Sequence, residues 1–489
     1  MRTEAAPTTP AKRAAHVVLL ASPGAGHILP VAELARRIVA HGDGAEFTAT
    51  LVTYTNFSSA EHHSTLASLP PSVSTAVFPE VPLDDLPANA HIETRIFTTV
   101  KRSLPRLRDL LRSLLESPSG VAAFVPDLLG PWTLQVAVEL GVPGYLFCTT
   151  NLMAFSCMLH VPELDRTTTG EFRDLPEPVR LPGCVPLRGA DLLDPLQDRS
   201  DPVYPLMIEF GKNHLLANGF IVNTFDAMEH KTLVAFKEIS DKGVYPPAYA
   251  VGPFVRPCAG GESAEHGCLQ WLDKQPDASV LYVCLGSGGT LSTEQTAELA
   301  AGLEASGQRF LWVVRFPSDK DCSASYFGTA ANSDDPVSYL PEGFLERTKG
   351  VGICLPLWAP QVEILNHRAV GGFLSHCGWN STLEATTAGV PKLAWPLYAE
   401  QRMNAVMLSE RAGLALRPSE GSVRENGVVP QEEVAAVVRE LIAGEKGAAA
   451  RQKALELRDG AVKAWAPDGP SRRAFEAVVG KWKKVERAG

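Results

Sequence analysis

The chain has 489 residues, of which 45% are hydrophobic, and its formal net charge is -10. A chain of this length is too long for a single hydrophobic core of ordinary size, which predicts two domains. The negative net charge argues against binding nucleic acid through a general positive surface. Nine scattered cysteines without zinc-ligand spacing indicate reduced thiols in a cytoplasmic protein. The N-terminus does not resemble a signal peptide, and no apolar run approaches the ~20 residues of a membrane span.

Apolar strands alternate with amphipathic helices through the first half of the chain. The predicted strands cover residues 16–20, 47–54, 121–130, 141–147 and 219–225. A Gly-rich turn, SPGAGH, and a helix follow the first strand, and another helix is predicted from Trp132 to Leu140. This alternation is typical of a parallel sheet with helices on both faces.

The pattern restarts after a Pro- and Gly-rich stretch, in which we assign residues 253–267 to an interdomain linker. Further strands are predicted at 280–287, 310–314, 353–358, 371–376 and 392–396, with a helix from Ser292 to Ser306 and a surface loop at 316–344. Two Rossmann-like α/β domains, 1–252 and 268–470, are therefore expected to face a central cleft that binds ligands. Residues 471–489 are expected to form a helix that packs back on the first domain.

The turn SPGAGH could place backbone N–H groups at a dinucleotide phosphate. It lacks a third glycine, however, and no acid at the end of the second strand could hold a ribose, so NAD or FAD binding is not favoured. His27 lies in the first turn of a helix, whose dipole disfavours imidazolium, and a neutral imidazole at a cleft is a candidate general base. Asp127 ends a strand that should reach the same edge, where its carboxylate could fix the tautomer of His27. A capping or core histidine and a loop acid are the alternative interpretations.

The segment HCGWNSTLEA, residues 376–385, follows an apolar strand and is predicted to open a helix that ends before Gly389. A helix start presents unpaired N–H groups and about half a positive charge to an anion. Gly378 permits close approach, and the side chains of His376, Asn380 and Ser381 add donors. Because no Lys or Arg lies between 369 and 391, phosphate charge would be met by dipoles and neutral donors. Ser381-x-x-Glu384 could be a capping box, or Glu384 could face the cleft and bind a ribose.

The stretch WAPQVEILNHRAVGGFLSHCGWNSTLEATTAGVPKLAWPLYAEQ, residues 358–401, resembles the 44-residue signature of plant UDP-dependent glycosyltransferases, the family 1 enzymes of the GT-B fold. SPGAGH and the strand that carries Asp127 extend the resemblance to both halves. LPGCVPLRGADLLDPLQDR, CLGSGGTLS and YLPEGFLERTKG look like the subgroup that glucosylates hydroquinone, monolignols and other small phenols. The resemblance implies inverting transfer of glucose from UDP-glucose to a phenolic hydroxyl, without a metal or other cofactor, by a monomer whose partners are its small-molecule substrates.

The resemblance also implies a role for each site residue. His27 would be the general base and Asp127 its partner. Trp358 would stack on uracil, Ala359 and Gln361 would contact the base and ribose, and Glu384 would bind the ribose. The diphosphate would be bound by Ser287, His376, Asn380 and Ser381. The sugar would be held by Trp379, Glu400, Gln401 and Thr149. Gln401 together with Trp379 is the pattern associated with glucose rather than galactose. Ser22, Glu93 and Trp132 would contact the acceptor.

Several alternatives stay open. Asp319-Lys320-Asp321 mimics a metal-binding D-x-D motif, but it lies in an aperiodic stretch rather than at a strand end, so metal binding is not favoured. Glu93 could be an exposed helix acid, and Trp132 could reshape the acceptor wall. Lys392 opens a strand that should be buried, and we expect its amine to reach solvent. Flavonoid or aniline-type acceptors, a non-catalytic UDP-sugar sensor and an NAD-dependent oxidoreductase are the alternative functions.

Overall fold

The computed structural model describes residues 14–42, 44–87, 90–256, 267–323 and 335–483. Most of the predicted linker, at 257–266, lies outside the described residues, as does 324–334 of the predicted loop. None of the helices in the described ranges is long and apolar enough to cross a membrane. All eight cysteines in these ranges are free thiols.

The strands of the first half are parallel and follow the predicted alternation. They are β1 (Ala15–Leu20), β2 (Phe47–Tyr54), β3 (Val73–Phe78), β4 (Ala123–Pro126), β5 (Tyr145–Cys148), β6 (Gly219–Val222) and β7 (Ala248–Ala250). A four-stranded sheet, β3-β2-β1-β4, is joined to a three-stranded sheet, β5-β6-β7, by single bridges between β4 and the region of β5. The strand order reverses between β1 and β4, and ligands of doubly wound folds bind at such a switch point.

Eight α-helices connect these strands. They are α1 (Ala25–Val39), α2 (Ala60–Ala67), α3 (Ile92–Arg102), α4 (Leu104–Glu116), α5 (Thr133–Glu139), α6 (Leu152–Thr167), α7 (Val203–His214) and α8 (Asp226–Asp241). Asn151 begins α6 by accepting a hydrogen bond from the backbone N–H of Ala154, as N-cap side chains do. Helices α6 and α7 pack on each other and share one buried hydrophobic cluster with side chains of β1, β2 and β4.

The second half repeats the arrangement with β8 (Val280–Cys284), β9 (Arg309–Val314), β10 (Gly352–Pro356), β11 (Val370–Ser375), β12 (Lys392–Ala394) and β13 (Ala415–Leu416). These strands form one parallel sheet in the order β10-β9-β8-β11-β12-β13. Its switch point lies between β8 and β11. The predicted strand at 371–376, which ends in the HCGW turn, is therefore central in the sheet and adjacent to the strand that precedes Ser287.

The helices of this half are α9 (Gly267–Leu272), α10 (Thr293–Ser306), α11 (Phe344–Arg347), α12 (Gln361–Leu365), α13 (Trp379–Ala388), α14 (Gln401–Val406), α15 (Gln431–Ala443), α16 (Glu445–Ala464) and α17 (Pro470–Trp482). Ser292 accepts a hydrogen bond from Gln295 at the start of α10, and Gly307 ends that helix in the left-handed conformation. Helix α17 returns to the first half, where Trp482 packs edge-on against Phe47 and Tyr145.

Lys392 contradicts its sequence-based expectation. The side chain is fully buried, and its Nζ donates to the carbonyl oxygen of Thr382 at 3.1 Å and to Thr386 Oγ1 at 3.2 Å. Burial lowers the pKa of this amine to about 7. The stem of a lysine can reach water only if it runs along the surface, and β12 lies beneath α13, so the amine ties the strand to the helix instead.

Candidate active site

His27 and Asp127 meet at the switch point of the first sheet. His27 Nδ1 lies 2.9 Å from Asp127 Oδ2, and the carboxylate is completely buried. Oδ2 also accepts from the backbone N–H of Ser22 at 3.0 Å, while Oδ1 accepts from Ser22 Oγ and from the N–H of Leu129 at 3.2 Å. The carboxylate is thus held by three hydrogen-bond donors in addition to its contact with the imidazole. Because Nδ1 is buried against it, Nε2 is the ring nitrogen left to face the cleft that His27 lines.

Ser22 does not line the acceptor site, although it was predicted to do so. Its side chain is only 3% exposed, and both its backbone N–H and its hydroxyl donate to Asp127. Ser22 is not among the described residues that line the cleft. Its contacts orient the carboxylate, and through it the imidazole, rather than a ligand.

The helix α13 opens at the switch point of the second sheet. Gly378 is its N-cap residue and makes no side-chain capping bond. The capping-box interpretation is wrong, because Ser381 Oγ and Glu384 Oε2 both accept from Gln361 Nε2, at 2.9 and 2.6 Å. All three side chains line the cleft. The free N–H groups of the helix start therefore face the cleft, and Glu384 faces it as well.

His376 lies between two glycines at this helix start. A Cβ on Gly286 would come within 2.5 Å of the imidazole ring, and one on Gly378 within 2.3 Å. Burial, and secondarily the positive charge of Arg315, lower the pKa of His376 to about 4. The ring is consequently neutral at neutral pH and offers one N–H donor. Ser287, beside Gly286, also lines the cleft.

Two arginines from outside the 369–391 interval reach this part of the cleft, which the sequence alone did not predict. Arg256 and Arg315 both line it. Arg256 Nε lies 3.5 Å from Glu384 Oε1. The expectation that phosphate charge meets only dipoles and neutral donors considered one segment, whereas the cleft is built from several segments, two of which contribute an arginine.

Three of the residues predicted to bind UDP-glucose each follow a residue with a left-handed backbone conformation. Leu357 precedes Trp358 with φ 63°, Cys377 precedes Gly378 with φ 67°, and Ala399 precedes Glu400 with φ 55°. This conformation costs a non-glycine residue roughly 1–2 kcal/mol, and such strain concentrates at functional sites. One result is that Trp358 is turned outward, 56% exposed, onto the rim of the cleft, and Ala359 lines the cleft beside it.

The predicted sugar-binding residues are tied to both halves. Trp379 is buried, and its indole N–H donates to the carbonyl oxygen of Asn223 at 2.7 Å. Gln401 Oε1 accepts from the N–H groups of Leu397 and Tyr398 at 2.9 and 3.1 Å, which leaves its amide nitrogen available to a ligand.

Glu400 is held across the cleft by Thr150, the neighbour of Thr149, which was predicted to hold the sugar. Thr150 Oγ1 donates to Glu400 Oε1 at 3.2 Å, while Thr149 lines the cleft. Asn404 Nδ2 approaches the same oxygen at 3.3 Å. Two adjacent threonines at a strand end give no signal in the sequence that separates these roles.

The other wall of the cleft is apolar. It is formed by Ile92, Ile96, Phe97, Leu128, Met158, Leu193, Met207 and Phe210. Glu93 lies among them, and its Oε2 is 3.6 Å from His91 Nδ1. This carboxylate is the main cause that raises the pKa of His91 to about 9. A mostly apolar wall with one anionic group suits a small aromatic molecule that bears polar substituents.

Trp132 supports this wall from behind instead of lining it. The residue is 3% exposed, and its ring lies 4.9 Å from that of Phe97 and 5.8 Å from that of Phe210. Its indole N–H donates to Glu209 Oε2 at 3.2 Å. Trp132 is not among the described residues that line the cleft, so it can affect a ligand only through the two phenylalanines.

The D-x-D segment is used within the fold. Asp319 accepts from the N–H of Thr293 at 2.7 Å and from its hydroxyl at 3.0 Å, which caps the start of α10. Across the described ranges of the chain, no group of three or more His, Cys, Asp or Glu side chains has a metal-binding arrangement.

Comparison with known proteins assigns the chain to a family. The family model "UDP-glucoronosyl and UDP-glucosyl transferase" matches residues 245–427. A hydroquinone glucosyltransferase from Rauvolfia serpentina is 46% identical over 468 residues, which cover 96% of this chain and 97% of that protein. The chain belongs to the UDP-glycosyltransferase family. The predicted class of enzyme, a UDP-glucose-dependent glycosyltransferase similar to hydroquinone glucosyltransferase, is confirmed.

Solved structures of UDP-glycosyltransferases confirm the GT-B fold. A UDP-glucosyltransferase from Polygonum tinctorium, capable of glucosylating indoxyl and in complex with 3,4-dichloroaniline, is 44% identical with a TM-score of 0.87. UGT2 from Phytolacca americana, complexed with UDP-2-fluoro-glucose and pterostilbene, is 42% identical with a TM-score of 0.86. Each match covers 96% of this chain and 99% of the other. Small-molecule substrates are thus common to this UDP-glycosyltransferase and its neighbours.

Proposed function

We propose that the enzyme transfers glucose from UDP-glucose to the hydroxyl of a small phenol, with inversion, to give a β-O-glucoside. The observation that carries this proposal is the 2.9 Å contact between His27 Nδ1 and Asp127, which leaves Nε2 for a substrate. This nitrogen lies between an apolar wall on one side and the helix start of α13 on the other. The relative from Rauvolfia serpentina is named for hydroquinone, a small phenol.

The chemistry explains why a base is needed. A phenol has a pKa of ~10, so its oxygen is a weak nucleophile at neutral pH until a base removes the proton. His27 Nε2 accepts this proton as the oxygen attacks the anomeric carbon from the face opposite the UDP. The C–O bond to the diphosphate breaks in the same displacement, and the Asp127 carboxylate stabilises the imidazolium that results.

The donor would lie along the carboxyl edge of the second sheet. Trp358 stacks on uracil, Ala359 and Gln361 contact the base and ribose, and Glu384 binds the ribose hydroxyls. The diphosphate lies over the start of α13, where Ser287, His376, Gly378, Asn380 and Ser381 surround it, and backbone N–H groups stabilise charge on the leaving group. Glu400, the amide nitrogen of Gln401 and Thr149 face the sugar, with the indole of Trp379 packed beneath.

Nitrogen acceptors are a second candidate for the same site, and one observation favours them. The structure of the relative from Polygonum tinctorium contains 3,4-dichloroaniline. An aniline differs from a phenol in that its nitrogen is already a nucleophile when neutral, so it depends less on a base. Transfer to nitrogen would therefore tolerate the loss of His27 better than transfer to oxygen.

The test is to incubate the enzyme with UDP-glucose and hydroquinone, measure released UDP, and determine the anomeric configuration of the product by NMR. We expect a β-glucoside. His27→Ala should lower the rate by ~10² to 10⁴ while the affinity for UDP is retained. An α-linked product, or unchanged activity of His27→Ala, would contradict the mechanism. Absence of UDP release over a panel of phenols and anilines would favour the non-catalytic UDP-sugar sensor.

A further inference from the structure

Arg315 lines the cleft but belongs to no part of the 358–401 signature. It is the first residue after β9, and β9 lies between β10, which leads to Trp358, and β8, which leads to Ser287. Because parallel strands end at a common edge, the guanidinium enters the cleft between the residues proposed for uracil and those proposed for the diphosphate.

This guanidinium has no counter-charge within the described residues. Its Nε–H is buried and finds no hydrogen-bond acceptor there, and no ion pair of Arg315 exists in those ranges. The other arginine of the cleft lining, Arg256, lies 3.5 Å from the carboxylate of Glu384. A buried donor without an acceptor is costly, so the geometry at Arg315 is better suited to a bound anion than to the ligand-free protein.

The surroundings of Arg315 also favour a bound anion. Its charge acts on His376, whose pKa it lowers in addition to the effect of burial. His376 is neutral at neutral pH for these reasons, and the helix start of α13 supplies only about half a charge. A nucleotide-sugar diphosphate carries a negative charge on each phosphate, so dipoles and neutral donors alone leave much of that charge unbalanced.

We propose that Arg315 binds the diphosphate of the donor from the side opposite α13, so that the phosphates lie between a guanidinium and a helix start. This inference rests on the proposed function and adds a residue to it. Guanidinium groups form strong, directional bonds with phosphate oxygens. When the glycosidic C–O bond breaks, its electron pair goes to the leaving UDP, and Arg315 stabilises this increase in charge.

The test compares wild type, Arg315→Met and Arg315→Lys by calorimetric titration with UDP and, separately, with uridine. We expect Arg315→Met to bind UDP about 10- to 100-fold more weakly, Arg315→Lys to recover part of this loss, and uridine affinity to be unchanged in both. Arg309→Met is the matched control, since Arg309 begins the same strand at the opposite edge of the sheet and should leave UDP affinity at the wild-type value.

Thermal unfolding provides a second readout. Without ligand, Arg315→Met should melt at or above the wild-type temperature, because it removes an unpaired buried donor, and saturating UDP should raise the melting temperature of the wild type more than that of the variant. Equal UDP affinities, or equal losses for UDP and uridine, would overturn the inference. Wild type that binds UDP without transferring glucose would contradict the proposed function alone, whereas wild type that does not bind UDP would overturn both.

Discussion

The side-chain amide of Asn380 donates a hydrogen bond of 2.8 Å to the carbonyl oxygen of Gly26. This bond crosses the cleft from the first turn of α13 to the residue that precedes His27. Through it, the helix start proposed to hold the diphosphate also fixes the turn that carries the proposed base. The proposed base and the proposed diphosphate site are thus linked directly through one neutral side chain, in addition to the other bonds across the cleft, such as those of Trp379 and Thr150.

Asn380→Ala should therefore reduce kcat for phenol glucosylation by about 3- to 10-fold, the range expected for one lost hydrogen bond. Asn380→Asp should cost more, because it sets a negative oxygen against the Gly26 carbonyl. Steady-state kinetics of Asn380→Ala in wild-type and His27→Ala backgrounds form a double-mutant cycle. If Asn380 acts by positioning His27, its effect disappears in the His27→Ala background. A full effect there would assign Asn380 to the diphosphate alone.

Ser22 offers a second test of positioning. Ser22→Ala removes the hydroxyl donor to Asp127 but keeps the backbone N–H, so we expect kcat to fall by about 3- to 10-fold with an unchanged Kd for UDP. Ser22→Thr retains a hydroxyl and should retain most of the rate. If Ser22 contacted the acceptor instead, Ser22→Ala would change KM for hydroquinone relative to KM for other phenols, with kcat unaffected.

The sequence predicted best what depends on a single segment. The strand, turn and helix around His376 were predictable, because all of their signals lie within 20 residues: an apolar run for the strand, small residues for the turn and a glycine that ends the helix. The cleft-facing residues Arg315, Arg256 and Thr150 were not, since their role arises only when distant strand ends meet. Strand β3, which precedes the amphipathic helices α3 and α4, was not predicted, because half of its side chains are exposed and it has no continuous apolar run. Helix α3, which contributes Phe97 to the apolar wall, therefore had no strand before it to mark a βαβ unit and was not assigned.

The turn at Gly286 permits a test of the His376 pocket. Gly286 has φ 76°, and a Cβ there would lie 2.5 Å from His376 Cε1. Gly286→Ala should displace the imidazole and weaken UDP binding by about 10-fold or more in calorimetric titration, in line with loss of at least one bond to a charged group. Gly307→Ala is the control, because Gly307 has a similar φ of 67° but no atom lies within 4 Å of the place its new methyl group would take. Gly307→Ala should lower stability and leave UDP affinity intact. Equal UDP affinities of the two variants would show that His376 does not bind the diphosphate.

Glu93 should govern which phenols are preferred. Its Oε2 lies 3.6 Å from His91 Nδ1 but accepts no hydrogen bond from the described residues, and the wall around it is mostly apolar. This oxygen can accept from the second hydroxyl of hydroquinone, so Glu93→Leu should lower kcat/KM for hydroquinone about 10-fold and leave that for 4-methylphenol nearly unchanged. Glu209→Leu, which alters a carboxylate behind the wall, is the control. Parallel losses for the two phenols would show that Glu93 has no part in recognising the second hydroxyl.

Lys392 predicts how stability depends on pH. Burial lowers its pKa in the folded protein to about 7 from an ordinary 10.5. Between these two values the unfolded chain binds more protons at this amine than the folded one, so its contribution to the free energy of unfolding rises with pH in that window. Below about pH 7 both states are protonated, and the unfavourable contribution is constant.

Lys392→Met removes this dependence. The free energy of unfolding of the variant minus that of the wild type should therefore decrease by roughly 3–4 kcal/mol between pH 7 and pH 10, as measured by denaturant titration at each pH. The constant cost of leaving the Thr382 carbonyl unpaired cancels in this comparison. Lys349→Met is the matched control, because Lys349 is 79% exposed and should show no such trend. If the curves for Lys392→Met and wild type run parallel over this range, the amine is not deprotonated inside the fold, and it is held as a cation by the oxygens of Thr382 and Thr386.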